Sequence, residues 1–429
     1  MKLALIIKLL ILDPIAWIIY TITGLFPKSS KIWIFISNQF ADNPKYFYLY
    51  LNQFHRNEIR TIWITRSKII LKELRKKGLE AYHLYSLPAF YYALKGGVLI
   101  YGAVGEGGFI YRALFVFFKK SIKVNLWHGV PLKKIEYDDT KGKGIGKTLL
   151  RANILERLHL KWVQKLLEPD LILATSKKIS ELFQSAFKVE NNKILLSNYP
   201  RVYGLLHELP GSEIGSCLQF YNQIKNQKYN EQKKIILYMP TFRDNTEERF
   251  FEIINFDKLD KFLAKVNAIF IIKLHYLSKL NRNVQVKSEI KQYKNIAIFD
   301  HAKDPYTILR LTDILVTDYS SIYFDFLHLN RPIVFFCFDL EEYLEKNRDT
   351  YFSYYEVTPG PKVRTFDELL KCLEKTCMGK DDFEEKRKEI RNIFFEHTPD
   401  SIEQLYRNIF YYTNIKRERI YDSGARTQN

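Results

Sequence analysis

Asp318, Ser320 and Ser321 share one short polar turn that follows an apolar run at 314–316. An aromatic, helix-compatible stretch carrying Asp325 comes next, then a second apolar run at 332–338. Two hydroxyls beside unbonded N–H groups at a helix start suit the binding of a phosphate. The same residues would also make an ordinary helix cap. Thr241 and Arg243 follow the apolar run 234–239, setting a hydroxyl and a guanidinium at its end. His275 follows the run 268–274 in the same way. In the first half, His128 lies in the turn Trp127-His128-Gly129 after the run 123–126. A histidine there suits a general base, because its ordinary pKa is near neutrality. Gly129 gives the backbone room to approach a substrate, and Lys133 and Lys134 add positive charge. Taken alone, a histidine in such a turn is more often structural or capping than catalytic. Taken together, Thr241, Arg243, His275, Asp318, Ser320 and Ser321 all follow strand-like runs of one half of the chain. Open α/β sheets bind their ligands at that end of the strands.

The elements that must position these residues alternate. Strand-like runs at 31–37, 60–64, 82–84, 98–101, 123–126, 171–174 and 194–196 are separated by helix-compatible stretches, among them 43–54, 69–77, 88–94 and 162–167. The pattern restarts at 234–239 and continues through 268–274, 296–299, 314–316 and 332–338. Alternation of this kind indicates parallel α/β sheets. With 429 residues the chain exceeds one typical domain. The turn-rich, polar segment 204–233 marks the boundary, giving domains at 28–230 and 231–415. Residues 416–429 read as a disordered basic tail.

A net charge of +18 points to anionic partners. The basic residues are interleaved with acids and aromatics, which argues against a nucleic-acid-binding tail. The four cysteines form neither a CxxC pair nor a disulfide framework, as in a reduced compartment. Residues 1–27 are apolar but interrupted by Lys8, Asp13 and Pro14. No small-residue cleavage site follows, so a signal peptide does not fit. Asp13 and Pro14 oppose a spanning helix. A membrane-associating helix lying in the interface, with Trp17 and Tyr20 at its boundary, fits better, and burial in the first domain is the alternative. The segment 141–148 imitates a phosphate loop, but its first position is Lys141 rather than glycine, and no apolar strand leads in. It reads as a mobile basic loop. The Gly-rich turn 102–108 lacks dinucleotide-binding spacing.

The motifs Trp127-His128-Gly129-Val130-Pro131-Leu132-Lys133-Lys134, Tyr238-Met239-Pro240-Thr241-Phe242-Arg243, Lys273-Leu274-His275 and Thr317-Asp318-Tyr319-Ser320-Ser321-Ile322-Tyr323-Phe324-Asp325 occur in this order, with Arg348 and Pro359-Gly360-Pro361 after them. In types and order they resemble the CDP-glycerol glycerophosphotransferase family, which builds teichoic acids and related capsular polymers. The resemblance runs from about Lys31 to Glu368 and departs at Glu136, Asn198, Val202, Tyr203 and Tyr276. It implies a GT-B architecture, two Rossmann-like domains facing a cleft, peripheral to the cytoplasmic face of the membrane. The donor it implies is CDP-glycerol or another CDP-polyol, and the acceptor a lipid-linked or saccharide hydroxyl. It implies His128 as general base and His275 on the diphosphate or the leaving phosphate. Lys133, Lys134, Arg201, Thr241, Arg243, Lys273, Ser320 and Ser321 would contact substrate, with Asp318 orienting the turn and Asp325 taking a ribose hydroxyl. No acidic metal motif stands out, so neither metal nor other cofactor is expected. A GT-B glycosyltransferase using a nucleotide sugar, or a non-catalytic membrane scaffold, would share the fold and the charge.

Overall fold

The computed structural model describes residues 11–37, 39–102, 114–142, 144–241, 249–274, 284–300, 303–346 and 349–425. His275, Arg243, Arg348, Tyr276 and most of the glycine-rich turn lie outside them.

The chain forms two compact units. The first comprises residues 1–128, 136–215 and 395–429, and the second 129–135 and 216–394. The first unit holds β1 (Ser29–Ile36), β2 (Arg60–Thr65), β3 (Ala81–His83), β4 (Gly96–Tyr101), β5 (Ile122–Asn125), β6 (Leu171–Ala174) and β7 (Ile194–Leu196). They form one parallel sheet in the order β3-β2-β1-β4-β5-β6-β7. The second unit holds β8 (Lys234–Tyr238), β9 (Ala268–Ile272), β10 (Ile296–Ile298), β11 (Ile314–Thr317), β12 (Ile333–Phe336) and β13 (Lys362–Val363). Its parallel order is β10-β9-β8-β11-β12-β13. Both sheets therefore reverse direction beside their first strand, the Rossmann order, with switch points at β1/β4 and at β8/β11.

These runs become strands because helices cover both faces, so unbroken β-branched and aromatic residues are buried throughout. One face of the first sheet packs Ile34, Ile36, Ile62, Ile64 and Leu99 together. The other face is aromatic: Phe35 stands 6.1 Å from Phe47 and 5.4 Å from Tyr48, both on the helix Asp42–Phe54. The second sheet buries Ile236, Phe270, Val316 and Phe336 against the helices Phe256–Lys265 and Phe366–Cys377.

The expected boundaries shift in three places. The helix Leu218–Tyr229 belongs to the second unit, tied by Lys228 Nζ to Asp313 Oδ1 at 2.6 Å, so the division falls at Gly215 rather than near 230. Residues 129–135 also belong to the second unit. The final helix, Ile402–Ala425, returns to the first. Tyr406 packs 5.6 Å from Trp33, and His55 contacts Glu403 Oε2 through Nε2 at 2.7 Å. That helix also absorbs most of the expected tail, where Lys416 reaches Asp170.

Part of the supposed mobile loop is likewise ordered. The Asp139 carboxylate accepts from the N–H groups of Gly142 and Gly144, and Ile145–Arg151 is helical. The N-terminal apolar stretch contains the helix Asp13–Thr23. Its Ala16, Ile19 and Tyr20 pack on the first core, while Ile15, Trp17, Ile18 and Ile22 are exposed. Among the described residues no helix is long and apolar enough to cross a membrane.

Candidate active site

The second switch point brings two of the sequence motifs together. β8 and β11 are neighbours, and their ends are bonded beyond the strands. Met239 N–H donates to the Val316 carbonyl at 3.0 Å, and Thr317 Oγ1 donates to the Met239 carbonyl at 2.7 Å. Asp318 is fully buried, and its Oδ1 accepts from Thr241 N–H at 2.8 Å and from Tyr319 N–H at 2.5 Å. The carboxylate thus holds the post-β8 loop against the post-β11 turn, an orienting job. Tyr354 donates its hydroxyl to the Asp318 carbonyl at 3.0 Å. Burial pushes that phenol well above its ordinary pKa, which keeps it a donor.

Ser320 and Ser321 follow, both partly exposed. Ser321 opens the helix Ile322–Phe326, yet its side chain makes no cap hydrogen bond. Neither serine hydroxyl has a hydrogen-bond partner among the described residues. The capping explanation therefore does not account for them, and two hydroxyls remain available to a ligand at the carboxyl end of the sheet.

Lys273 follows β9, the neighbour of β8, and its N–H donates to the Tyr238 carbonyl at 2.9 Å. Its ammonium lies 5.7 Å from the centre of the Phe299 ring. Burial lowers its pKa to about 8, against the opposing pull of Asp304 and Asp300. Asp325 points elsewhere: it is buried within its helix and accepts from Tyr306 Oη at 2.8 Å.

In the first unit, His128 is the exposed member of a rigid turn. Asn43 Nδ2 donates to the carbonyls of Leu126 and Trp127 at 2.9 and 3.0 Å. Asn125 Oδ1 accepts from Trp127 N–H at 2.8 Å. The Trp127 ring is wedged between Phe183 and Phe187 of the helix Lys177–Phe187. Arg201 is 5% exposed, and its Nη1 reaches both Asp42 Oδ1 and the His128 carbonyl at 2.7 Å. The structure thus uses Arg201 to fix the backbone of the general-base candidate. Asp42 and Trp127 both hold positive φ, 64° and 51°. Such backbone costs ~1–3 kcal/mol per residue and persists where surrounding bonds over-determine it.

Lys133 and Lys134 do not flank His128 in the same unit. Lys133 lies over the Tyr343 ring, and Lys134 Nζ is 4.0 Å from Asp349 Oδ2. Asp42, Asn43, Asn125 and Tyr354 have supporting roles that sequence reading misses. The run Asp42-Asn43-Pro44 reads only as a helix start, with no sign of its distant partners.

Residues 18–411 match the family described as CDP-Glycerol:Poly(glycerophosphate) glycerophosphotransferase. The chain is 28% identical over 383 residues to a teichoic acid poly(glycerol phosphate) polymerase of Bacillus spizizenii, covering 85% of this chain and 88% of that protein. It is 27% identical over 380 residues to a teichoic acid glycerol-phosphate transferase of Staphylococcus aureus, covering 84% and 86%. The solved wall teichoic acid polymerase TagF shares the fold, with a TM-score of 0.68 and 21% identity over 91% of this chain and 90% of that one. With a match spanning nearly its whole length, the chain belongs to the CDP-glycerol:poly(glycerophosphate) glycerophosphotransferase family.

Proposed function

We propose that this glycerophosphotransferase holds the diphosphate of CDP-glycerol, or a related CDP-polyol, at the β8/β11 switch point. An acceptor hydroxyl of a lipid-linked or saccharide chain attacks the phosphorus that bears the polyol. The bond from that phosphorus to the CMP phosphate oxygen breaks, CMP leaves, and a phosphodiester forms. His128 takes the proton of the attacking hydroxyl. Thr241, Ser320, Ser321 and Lys273 hold the diphosphate and balance charge as it develops, with Arg243 joining them and His275 protonating the leaving phosphate. Two Rossmann-ordered sheets in one chain support the GT-B reading, in which each unit serves one substrate. The observation that carries the proposal is the pair of serine hydroxyls left without partners beside the Asp318 clamp.

The deciding experiment is nucleotide release from CDP-glycerol, CDP-ribitol and UDP-sugars, each with a membrane extract as acceptor source. CMP formed from one CDP-polyol, dependent on acceptor, is the expected result. UDP release without CMP would replace phosphotransfer by sugar transfer on the same fold.

Lys273 adds a pH dependence. Its ammonium is charged below about pH 8 and loses its proton above. The KM for the donor is therefore expected to rise above that pH, by at most about tenfold per unit. Lys273→Met should raise KM at neutral pH and flatten this rise. A wild-type KM constant to pH 10 would remove Lys273 from the donor site. Stability runs the other way: the unfolded lysine keeps its proton up to 10.5, so unfolding becomes harder as pH climbs from about 8 towards that value.

Peripheral membrane association belongs to the same reading, since a lipid-linked acceptor requires it. The helix Asp13–Thr23 lies beside Ile154–Leu167, joined by Asp13 Oδ2 to His159 Nδ1 at 2.6 Å and by Tyr20 edge-on to Trp162. Half of the large exposed apolar side chains among the described residues lie on or beside these helices, including Trp17, Ile18, Ile154 and Leu158. Arg151, Arg157, Lys161 and Lys165 are exposed beside them and suit anionic head groups. Inserting one such side chain is worth ~1.5–3 kcal/mol. Trp17→Glu with Ile18→Glu is therefore expected to weaken co-sedimentation with phosphatidylglycerol vesicles at least about tenfold. Unchanged co-sedimentation would move the contact off these helices.

A further inference from the structure

Tyr319 and Asp339 take part in no step of the mechanism, yet both are buried within the second unit, at 1% and 8% exposure. Tyr319 stands between Asp318, whose carboxylate clamps the post-β8 loop, and Ser320, the first of the two serines. Tyr343 stacks on the Tyr319 ring, centroids 4.0 Å apart and planes 15° from parallel. Tyr354 lies beside it at 5.5 Å, tilted by 58°. At the tip of the ring the hydroxyl donates to Asp339 Oδ1 at 2.9 Å. Asp339 immediately precedes the helix Leu340–Lys346, and its carbonyl accepts from Tyr343 N–H at 2.8 Å. Residues four apart lie on one side of a helix. One helical turn therefore offers a carboxylate to the Tyr319 hydroxyl and a ring to the Tyr319 face. Asp318 and Tyr319 turn inward while Ser320 and Ser321 stay partly exposed. The inward pair fixes the backbone from which the outward pair springs.

We propose that Asp339 is a positioning residue for the donor diphosphate: it holds Tyr319 by the hydroxyl, and Tyr319 sets the direction of the Ser320 and Ser321 hydroxyls. Core packing alone would need the Tyr319 ring but not its hydrogen bond. In a buried site, by contrast, the loss of either partner leaves the other unpaired, and the segment that carries it must shift to recover a bond. The inference rests on the phosphate role given to Ser320 and Ser321 above.

Three single variants test it: Asp339→Ala, Asp339→Asn and Tyr319→Phe. Asp339→Ala is expected to raise the KM for CDP-glycerol roughly tenfold, while the KM for the acceptor stays within about twofold. Asp339→Asn keeps an acceptor oxygen for the Tyr319 hydroxyl and should hold the donor KM within about threefold. Tyr319→Phe keeps the ring and its stack but loses the bond, so its donor KM should match that of Asp339→Ala; it decides the matter if Asp339→Ala does not fold. In a Ser320→Ala/Ser321→Ala background, Asp339→Ala should lower kcat/KM by no more than about twofold further, because residues acting through one contact are not additive. A wild-type donor KM in Tyr319→Phe, an equal rise in the donor and acceptor KM, or losses that multiply would each overturn the proposal. Hydrogen exchange at the amides of Tyr319 and Phe324, bonded to Asp318 Oδ1 and to the Ser321 carbonyl, reads the turn without reference to activity. Asp339→Ala and Tyr319→Phe should speed both, and unchanged exchange would also overturn it. UDP release without CMP from the wild type would defeat the phosphotransfer reading and leave the exchange result to decide whether Asp339 holds the turn.

Discussion

His128→Ala is expected to lower acceptor-dependent CMP release by ~10²–10⁴-fold with little change in melting temperature, as loss of a general base does. The fold should tolerate the change because the imidazole is exposed and the turn is held by other groups. Asn43 and Arg201 bind its backbone carbonyls, Asn125 binds the Trp127 amide, and the Trp127 ring fills the pocket made by Phe183 and Phe187. The His128 ring lies 4.0 Å from the Trp127 ring between centroids, and Trp127 keeps its contacts with Phe183 and Phe187 when that ring is removed. The measurement is single-turnover CMP formation over a pH series. Wild type should show a limb set by one base, and the variant should lose it. Turnover near the wild-type value, with the limb intact, would hand the base to another residue.

The second large effect belongs to the serines. Each hydroxyl bonded to a charged phosphate oxygen contributes ~1.5–3 kcal/mol. Ser320→Ala with Ser321→Ala is expected to reduce kcat/KM for CDP-glycerol by ~10²–10⁴-fold. Stability should barely move, because the hydroxyls have no partner among the described residues and Ser321 makes no cap bond. That separation is the test. A helix cap removed would appear as a loss of ~1 kcal/mol in denaturant unfolding with activity spared. A phosphate site removed leaves unfolding unchanged and lowers donor affinity, read by titration with CDP-glycerol. The first pattern would sink the proposed role.

Much of this arrangement is legible in the sequence, for a physical reason. Parallel strands buried on both faces are near-continuous apolar runs, so their ends are easy to find, and the polar residues just beyond them stand at the ligand end of the sheet. Thr241, Asp318, Ser320 and Ser321 are found that way. What stays hidden depends on partners distant in sequence. Arg201 carries a charge that suits a substrate, yet its partner Asp42 is 159 residues away and no local pattern announces the pair. Lys133 and Lys134 follow His128 closely, but Gly129 opens a strap that leaves the first unit, so neighbours in sequence are separated in packing. Asp325 lies one helical turn from Ser321, a spacing that suggests a shared face, yet burial turns it to Tyr306. The helix Ile154–Leu167 is visible only in its last turn, because its first residues are apolar but exposed. Its start is set by the Asn153–Glu156 capping box.

The returning C-terminal helix has a consequence in time. A chain emerges from the ribosome N-terminus first, and domains usually fold in that order. Here the first sheet is complete once residue 196 has been made, but Tyr406, which packs on Trp33, and Glu403, which meets His55, are translated some 200 residues later. Almost all of the second unit, residues 216–394, is synthesised in that interval. The half that appears first is therefore finished last, and it waits with the face around Trp33 uncovered until the other half has been made.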